Sequence, residues 1–233
     1  ARSTNYGVSW GSIQNIDYSE DDGQYTSIAV DTSNNYYVSY YNNTDNELKL
    51  SVNNIEQTVY GNGGSAPSSN DVGKYSSIAL VNASPNRLYI AYYDTTYGAV
   101  NVSHSHDNAT SWTHVQVDNG GSNTPGTSNV GEYCSIAAVA DRSTDGDDTG
   151  DDLYICYYDV TNTNLKFARS NDGGTTWSSR TIDSASVNAG QYARIAVVPA
   201  SDSYANDRIY VVYYNAVSST IKVLKSIDGG TSW

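Results

Sequence analysis

The densest group of chemically active side chains is Asp141-Arg-Ser-Thr-Asp145-Gly-Asp147-Asp148-Thr-Gly150-Asp151-Asp152. Carboxylates this close repel one another unless solvent or a cation screens them. Hard oxygen ligands between glycine turns suit Ca²⁺, so this segment is the candidate calcium site. A solvated acidic loop is the alternative, and the spacing is not that of an EF-hand. His104, His106 and His114 share one hairpin. No cysteine or convergent carboxylate completes a tetrahedral zinc set there, so they read as surface histidines.

A different pattern recurs. Ser170-Asn-Asp172-Gly-Gly174-Thr-Thr-Trp177 and Ser226-Ile-Asp228-Gly-Gly230-Thr-Ser-Trp233 are nearly identical, and Ser105-His-Asp107-Asn-Ala-Thr-Ser-Trp112 is a variant. Ser3-Thr-Asn5-Tyr-Gly7-Val-Ser-Trp10 is a weaker one. A short carboxylate or amide here accepts from backbone N–H groups just ahead, closing an Asx-type turn. Gly174 and Gly230 supply positive φ, and Trp112, Trp177 and Trp233 open the next strand and pack over the hairpin. Local backbone bonding accounts for Asp107, Asp172 and Asp228, which therefore fold the chain and do no catalysis.

The elements around these turns are strands. The 233 residues hold 22 Tyr, 19 Gly, one Phe and no Met, with four Glu (Glu20, Glu47, Glu56, Glu132). Tyr, Thr, Val and Ile favour strands and Gly, Asn, Asp and Ser favour turns, so the class is all-β. The formal charge of −13 argues against nucleic acid and against a polybasic membrane anchor. Mean hydropathy is −0.52, and no apolar run approaches the roughly 20 residues of a membrane helix. A chain without Met is expected to be processed or part of something longer. Sequons at Asn42, Asn82, Asn101 and Asn108 point weakly to export.

Four segments line up along the chain: Gly23-Gln-Tyr-Thr-Ser-Ile-Ala-Val30, Gly73-Lys-Tyr-Ser-Ser-Ile-Ala-Leu80, Gly131-Glu-Tyr-Cys-Ser-Ile-Ala-Ala138 and Gly190-Gln-Tyr-Ala-Arg-Ile-Ala-Val197. Each precedes a second signature, namely Tyr37-Val-Ser-Tyr-Tyr41, Tyr89-Ile-Ala-Tyr-Tyr93, Tyr154-Ile-Cys-Tyr-Tyr158 or Tyr210-Val-Val-Tyr-Tyr214, and then a third strand. With a Trp-led fourth strand, the repeats cover approximately 11–54, 55–111, 112–176 and 177–233 of one domain, 1–233. The chain opens with a turn and the lone strand Gly11–Asp17, and closes just before its own last strand. That N-terminal strand is expected to complete the last repeat of its own chain or of a neighbour. The third expectation is a slice of a longer array of such repeats.

Ser-x-Asp-x-Gly-x-Thr-Trp resembles the Asp-box, or bacterial neuraminidase repeat, of sialidase-like β-propellers. The resemblance covers essentially the whole chain and implies four-stranded antiparallel blades, the box joining third and fourth strands. Sialidases resemble six-bladed rings, so four repeats depart from the family. Their chemistry implies three arginines on a substrate carboxylate, a nucleophilic Tyr with a Glu partner, and an acid/base Asp. None of the seven arginines lies in the Arg-Ile-Pro type motif of such enzymes. Arg194 stands out because its counterparts are Ser27, Ser77 and Ser135; it is the candidate anion contact, a local ion pair being the alternative. With Glu scarce, no catalytic set stands apart from the scaffold.

Cys134 and Cys156 have counterparts Thr26/Ser39, Ser76/Ala91 and Ala193/Val212, all modest in volume. A cross-strand disulfide and two buried thiols are both open. The repeated tyrosines suit blade packing, and any exposed on the ring face suit stacking on sugars. The expected function is a secreted or cell-surface propeller module, non-catalytic, binding a surface glycan, a protein or its own copies. A sialidase-like glycoside hydrolase is the rival, and a filament subunit built by strand exchange the third reading.

Overall fold

The computed structural model describes residues 1–17, 21–61, 70–121, 124, 127–141, 150–184, 188–200 and 206–233. Fifteen strands are present there and no helix. Blade 1 is β1 (Asp22–Val30), β2 (Tyr36–Asn42), β3 (Glu47–Val52) and β4 (Ile55–Tyr60). Blade 2 is β5 (Val72–Val81), β6 (Arg87–Asp94), β7 (Ala99–Ser105) and β8 (Thr113–Asp118). Blade 3 is β9 (Val130–Val139), β10 (Asp152–Asp159), β11 (Asn164–Ser170) and β12 (Ser178–Asp183). Blade 4 has three strands, β13 (Ala189–Val198), β14 (Arg208–Asn215) and β15 (Thr220–Ser226). Every sheet is an antiparallel meander in chain order.

The turns explain the meander. Asp172 accepts from the Thr176 N–H at 2.9 Å and from the Thr176 hydroxyl, while Ser170 Oγ donates to Asp172 and accepts from Gly174 N–H. Ser105/Asp107 and Ser226/Asp228 repeat this geometry. Those bonds hold Asp228 at about 2 and pull Asp107 below the ordinary carboxylate range. The β3–β4 link needs no such turn, because Asn53 and Asn54 both take left-handed φ in a two-residue hairpin.

The core lies between blades. Leu48 and Leu50 of β3 pack on Val72, Ile78, Leu88 and Ile90 of blade 2. Val100 and Val102 do the same against blade 3, and Leu165 and Phe167 against blade 4. The backbones approach so closely that a Cβ on Gly73, Gly131 or Gly190 would lie 2.8, 2.9 or 3.0 Å from the Cα of Leu48, Val100 or Leu165. Trp112, Trp177 and Trp233 each pack against one of these three clusters.

Polar ties repeat with the same period. Ser27, Ser77 and Ser135 accept from the next blade's Ile78, Ile136 and Ile195 N–H at 3.1, 3.2 and 3.3 Å. Tyr89 and Tyr154 donate to Asp151 and Asp207 of the following blade. Tyr157 and Tyr213 donate back to Asp118 and Asp183, which end the preceding blade's outer strand. Part of the tyrosine enrichment thus ties one blade to the next.

Two alternatives left open by the sequence are narrowed. Cys134 and Cys156 are free, buried thiols, not a disulfide. Cys134 belongs to the core between blades 2 and 3, with Sγ 3.0 Å from Tyr75 O, and Cys156 to that between blades 3 and 4. Burial pushes the Cys134 thiol up to about 12. Residues 11–17, for their part, form no strand within the chain, and β15 is a sheet edge among the described residues. The inner strands β1, β5, β9 and β13 pack successively, but no comparable packing joins β13 to β1. The four blades form an open arc.

Candidate functional site

The inner wall of the arc carries a ladder of tyrosines. Tyr25, Tyr75, Tyr133 and Tyr192 occupy one position in β1, β5, β9 and β13, each with φ between 54° and 56°. Left-handed backbone is unusual for a tyrosine, and here a register shift between each inner strand and its partner absorbs it. The bulge turns the four side chains into one row. Successive ring centroids are 4.6, 4.8 and 4.5 Å apart, tilted by 48–54°. Tyr41, Tyr93 and Tyr158 back the row from the second strands at 6.2, 6.2 and 6.4 Å.

Polar groups flank the rings. Lys74 pairs with Asp71 and lies 5.1 Å from the Tyr41 ring, whose hydroxyl donates to Asp71 at 2.7 Å. Asn129 donates to Glu132 at 3.1 Å, and Gln191 and Tyr158 both donate to Asn188. Tyr192 is 60% exposed and Tyr25 38%. Burial first, then the neighbouring Tyr192, pushes Tyr133 up to about 12; burial also raises Tyr75. Their hydroxyls stay protonated at neutral pH and serve as donors. The result is a strip of aromatic faces edged by amides, carboxylates and one ammonium.

A second concavity of about 490 Å³ opens between blades 1 and 2, lined by Asp31, Asn35, Tyr37, Asn53, Pro85 and Asn86 among others. Its centre is already engaged. Asp31 accepts from Ser33 N–H, Asn35 N–H, the Asn35 amide, Tyr37 OH and Asn86 Nδ2. Burial raises this carboxyl, but these bonds outweigh burial and leave it below its ordinary value. The recess is the blade 1–2 version of the tyrosine ties described above.

The other expected site residues are scattered. Arg194 lies exposed on β13, two residues beyond Tyr192, and donates to Ala193 O at 2.7 Å. At the same position Ser27, Ser77 and Ser135 each accept from the backbone of the next blade. Arg87 grips Asp151, while Arg169 and Arg180 bind the carbonyls of Gly229 and Thr231. These three guanidiniums tie blades together and do not converge. Asp145, Asp147 and Asp148 lie outside the described residues. Asp151 is occupied by Arg87, Tyr89 and Asp141 N–H, Asp152 begins β10, and no metal-binding cluster occurs among the described residues.

The histidines correct a further expectation. His104 is buried and His114 half-buried, leaving His106 at the surface. His106 Nε2 lies 3.2 Å from Tyr89 OH, and His114 Nδ1 lies 2.7 Å from Ser103 Oγ. Asn42 and Asn101 are buried, so two of the four sequons are closed to a glycan.

No protein-family model matches the chain, and no curated protein matches it. Among solved structures it is similar to an exo-β-1,3-galactanase from Clostridium thermocellum, at a TM-score of 0.51 and 13% identity, over 90% of this chain and 46% of that one. Weaker likenesses are to Aleuria aurantia lectin AAL (TM-score 0.40, 14% identity, 89% and 76% covered) and an intramolecular trans-sialidase from Ruminococcus gnavus (0.41, 15%, 83% and 39%). The chain spans about half the length of the galactanases it resembles. Architecture and likeness together define a β-propeller, and at this identity they define the fold alone.

Proposed function

We propose that this chain is a non-catalytic, secreted or cell-surface module that binds glycans along the Tyr25–Tyr75–Tyr133–Tyr192 ladder. The ladder itself carries the reading: partly exposed rings at 4.5–4.8 Å spacing, edged by Asp71, Lys74, Glu132 and Gln191. A sugar presents an apolar C–H face and an equatorial rim of hydroxyls. Tyrosine faces suit the first, and planar amides and carboxylates suit the second. Lectin and galactanase likenesses are compatible with this reading without carrying it. Hydrolysis of sialosides would need arginines that converge, and Arg87, Arg169 and Arg180 hold blades together instead.

The test is a glycan array followed by calorimetry on the best binder. Tyr192→Ala removes an exposed ring and should weaken binding about three- to tenfold, the range of one aromatic contact. Tyr192→Phe should retain most of it. Absence of any glycan signal, or binding indifferent to Tyr192→Ala and Tyr25→Ala alike, would defeat the proposal.

A further inference from the structure

The three steps of the tyrosine ladder share one layout and differ in charge. Just before the ladder tyrosine stands Lys74, Glu132 or Gln191, and three residues earlier Asp71, Asn129 or Asn188. Each set faces a tyrosine on the preceding blade's second strand, Tyr41, Tyr93 or Tyr158. At the first step Asp71 accepts from the Tyr41 hydroxyl and pairs with Lys74, whose ammonium lies 5.1 Å from the Tyr41 ring centroid. The third step is neutral, Tyr158 and Gln191 both donating to Asn188. Only the second carries an unbalanced charge. Asn129 donates to Glu132 at 3.1 Å, and Glu132 enters none of the ion pairs among the described residues.

That carboxylate dominates the field along the strip. After burial, the Glu132 charge is the foremost cause raising Tyr75 and Tyr93, the latter to about 12. It acts on Tyr133 and Tyr158 as well, and Asp94 and Asp71 add to the negative field at Tyr93. The linkers 61–71, 119–129 and 184–188 contain no Lys or Arg, and Arg194 is turned to the Ala193 carbonyl. A carboxylate among aromatic faces attracts an ammonium twice over, through its charge and through the ring quadrupoles. Blade 2 places its own ammonium, Lys74, in that setting. Blade 3 has Glu132 where the lysine stands, so the same setting there is left with no cation from the chain.

We propose that the Glu132 step is an ammonium subsite, and that the ladder selects amino-sugar chains whose amines are free and protonated. The inference rests on the glycan reading of the ladder and adds what the strip prefers. A ligand that offers both an apolar ring face and an ammonium is an amino sugar without its acetyl group. Tyr75 and Tyr133 take the sugar face, and Glu132 takes the amine beside them, as Asp71 takes Lys74. A sugar carboxylate at the same place meets repulsion from Glu132, so uronic and sialic acids are disfavoured.

The test is calorimetry with a glucosamine oligomer and its fully N-acetylated counterpart of equal length, in mildly acidic buffer that keeps the free amines protonated. The wild-type chain should bind the glucosamine oligomer about tenfold more tightly, the scale of one partly desolvated cation–aromatic contact. Glu132→Gln keeps the shape of the side chain and should bring the two affinities within about twofold of each other. Glu132→Lys copies the residue that blade 2 carries at this position and should invert the order. Glu132→Gln removes one charge from a chain of net −13, so a preference due to the acidic chain as a whole survives it. That survival, or equal affinity of the wild type for both oligomers, overturns the proposal. Tyr192→Ala keeps the two readings apart. If it weakens binding of a neutral glycan and no preference for the amine exists, the ladder binds glycans and the Glu132 assignment alone falls. No signal from either oligomer or from any arrayed glycan overturns both.

Discussion

An interior junction and an open end of this propeller are made from the same sequence positions in opposite circumstances. Between blades 2 and 3, Val100 and Val102 are sealed, Gly131 is pinned against Val100, Ser77 holds Ile136 N–H, and Tyr157 holds Asp118. At the ends, Ile221 and Val223 face solvent, Gly23 faces open space, and Arg194 stands where the serine would be. The local fold survives at the ends, since β13–β15 and β1–β4 are both regular sheets. Strand and turn chemistry therefore makes a blade, and the neighbouring blade supplies most of its core.

The contrast is sharpest at glycine. Gly131→Ala would drive a Cβ to 2.9 Å from the Val100 backbone at a φ of 125°. Overpacking and backbone strain together should cost about 3–5 kcal/mol. Gly23→Ala carries backbone strain at φ 91° but no clash in an isolated chain, and should cost about 1–2 kcal/mol. Urea denaturation at low protein concentration measures both. Equal losses would mean that conformation alone, and not close approach, selects these glycines.

The next contrast is a hydroxyl. Tyr157→Phe removes the donor to Asp118, a carboxylate that also pairs with Lys166, and should cost about 2 kcal/mol. Its opposite is Tyr210→Phe. Tyr210 corresponds to Tyr89 and Tyr154, but blade 4 has no following carboxylate in the arc, so the change should stay within about 0.5 kcal/mol. A substantial loss at Tyr210 would show that the end blade holds a partner in solution.

Much of this was legible in the sequence, and the exceptions have physical causes. The Gly-x-Tyr-x-Ser-Ile-Ala and Tyr-x-x-Tyr-Tyr signatures gave the inner two strands of every blade, because each repeat must bury the same positions. Arg194 departs from Ser27, Ser77 and Ser135, each of which accepts from the next blade's backbone N–H. The small residues around Cys134 and Cys156 are indeed neighbours, but across junctions, as Ser39 and Ser76 show. A single repeat contains no information about which face of its sheet meets the next. His104 reads as a surface histidine from the missing zinc set, although its strand phase matches Val100 and Val102 and that alternation is present in the sequence. The left-handed φ that aligns the tyrosine ladder leaves no mark beyond the recurrence of Tyr itself.

The smallest expected effect compares the junctions with one another. His104 lies at the blade 2–3 junction near Gly174, and His114 stacks on Tyr60 of blade 1 at 4.1 Å. No histidine reaches the blade 3–4 core. Burial holds both His104 and His114 down at about 4, well below the ordinary histidine value. The folded chain therefore keeps them neutral where the unfolded chain binds protons. Their contribution is whole above about pH 6.5 and declines as pH falls toward 4. Hydrogen exchange at pH 7 and pH 5 should show β6, β7 and β9 losing protection before β11 and β14. His104→Gln with His114→Gln should flatten that difference, leaving the decline below pH 4 that acidic side chains cause. Uniform loss of protection across all three junctions would assign the acid response to the carboxylates alone.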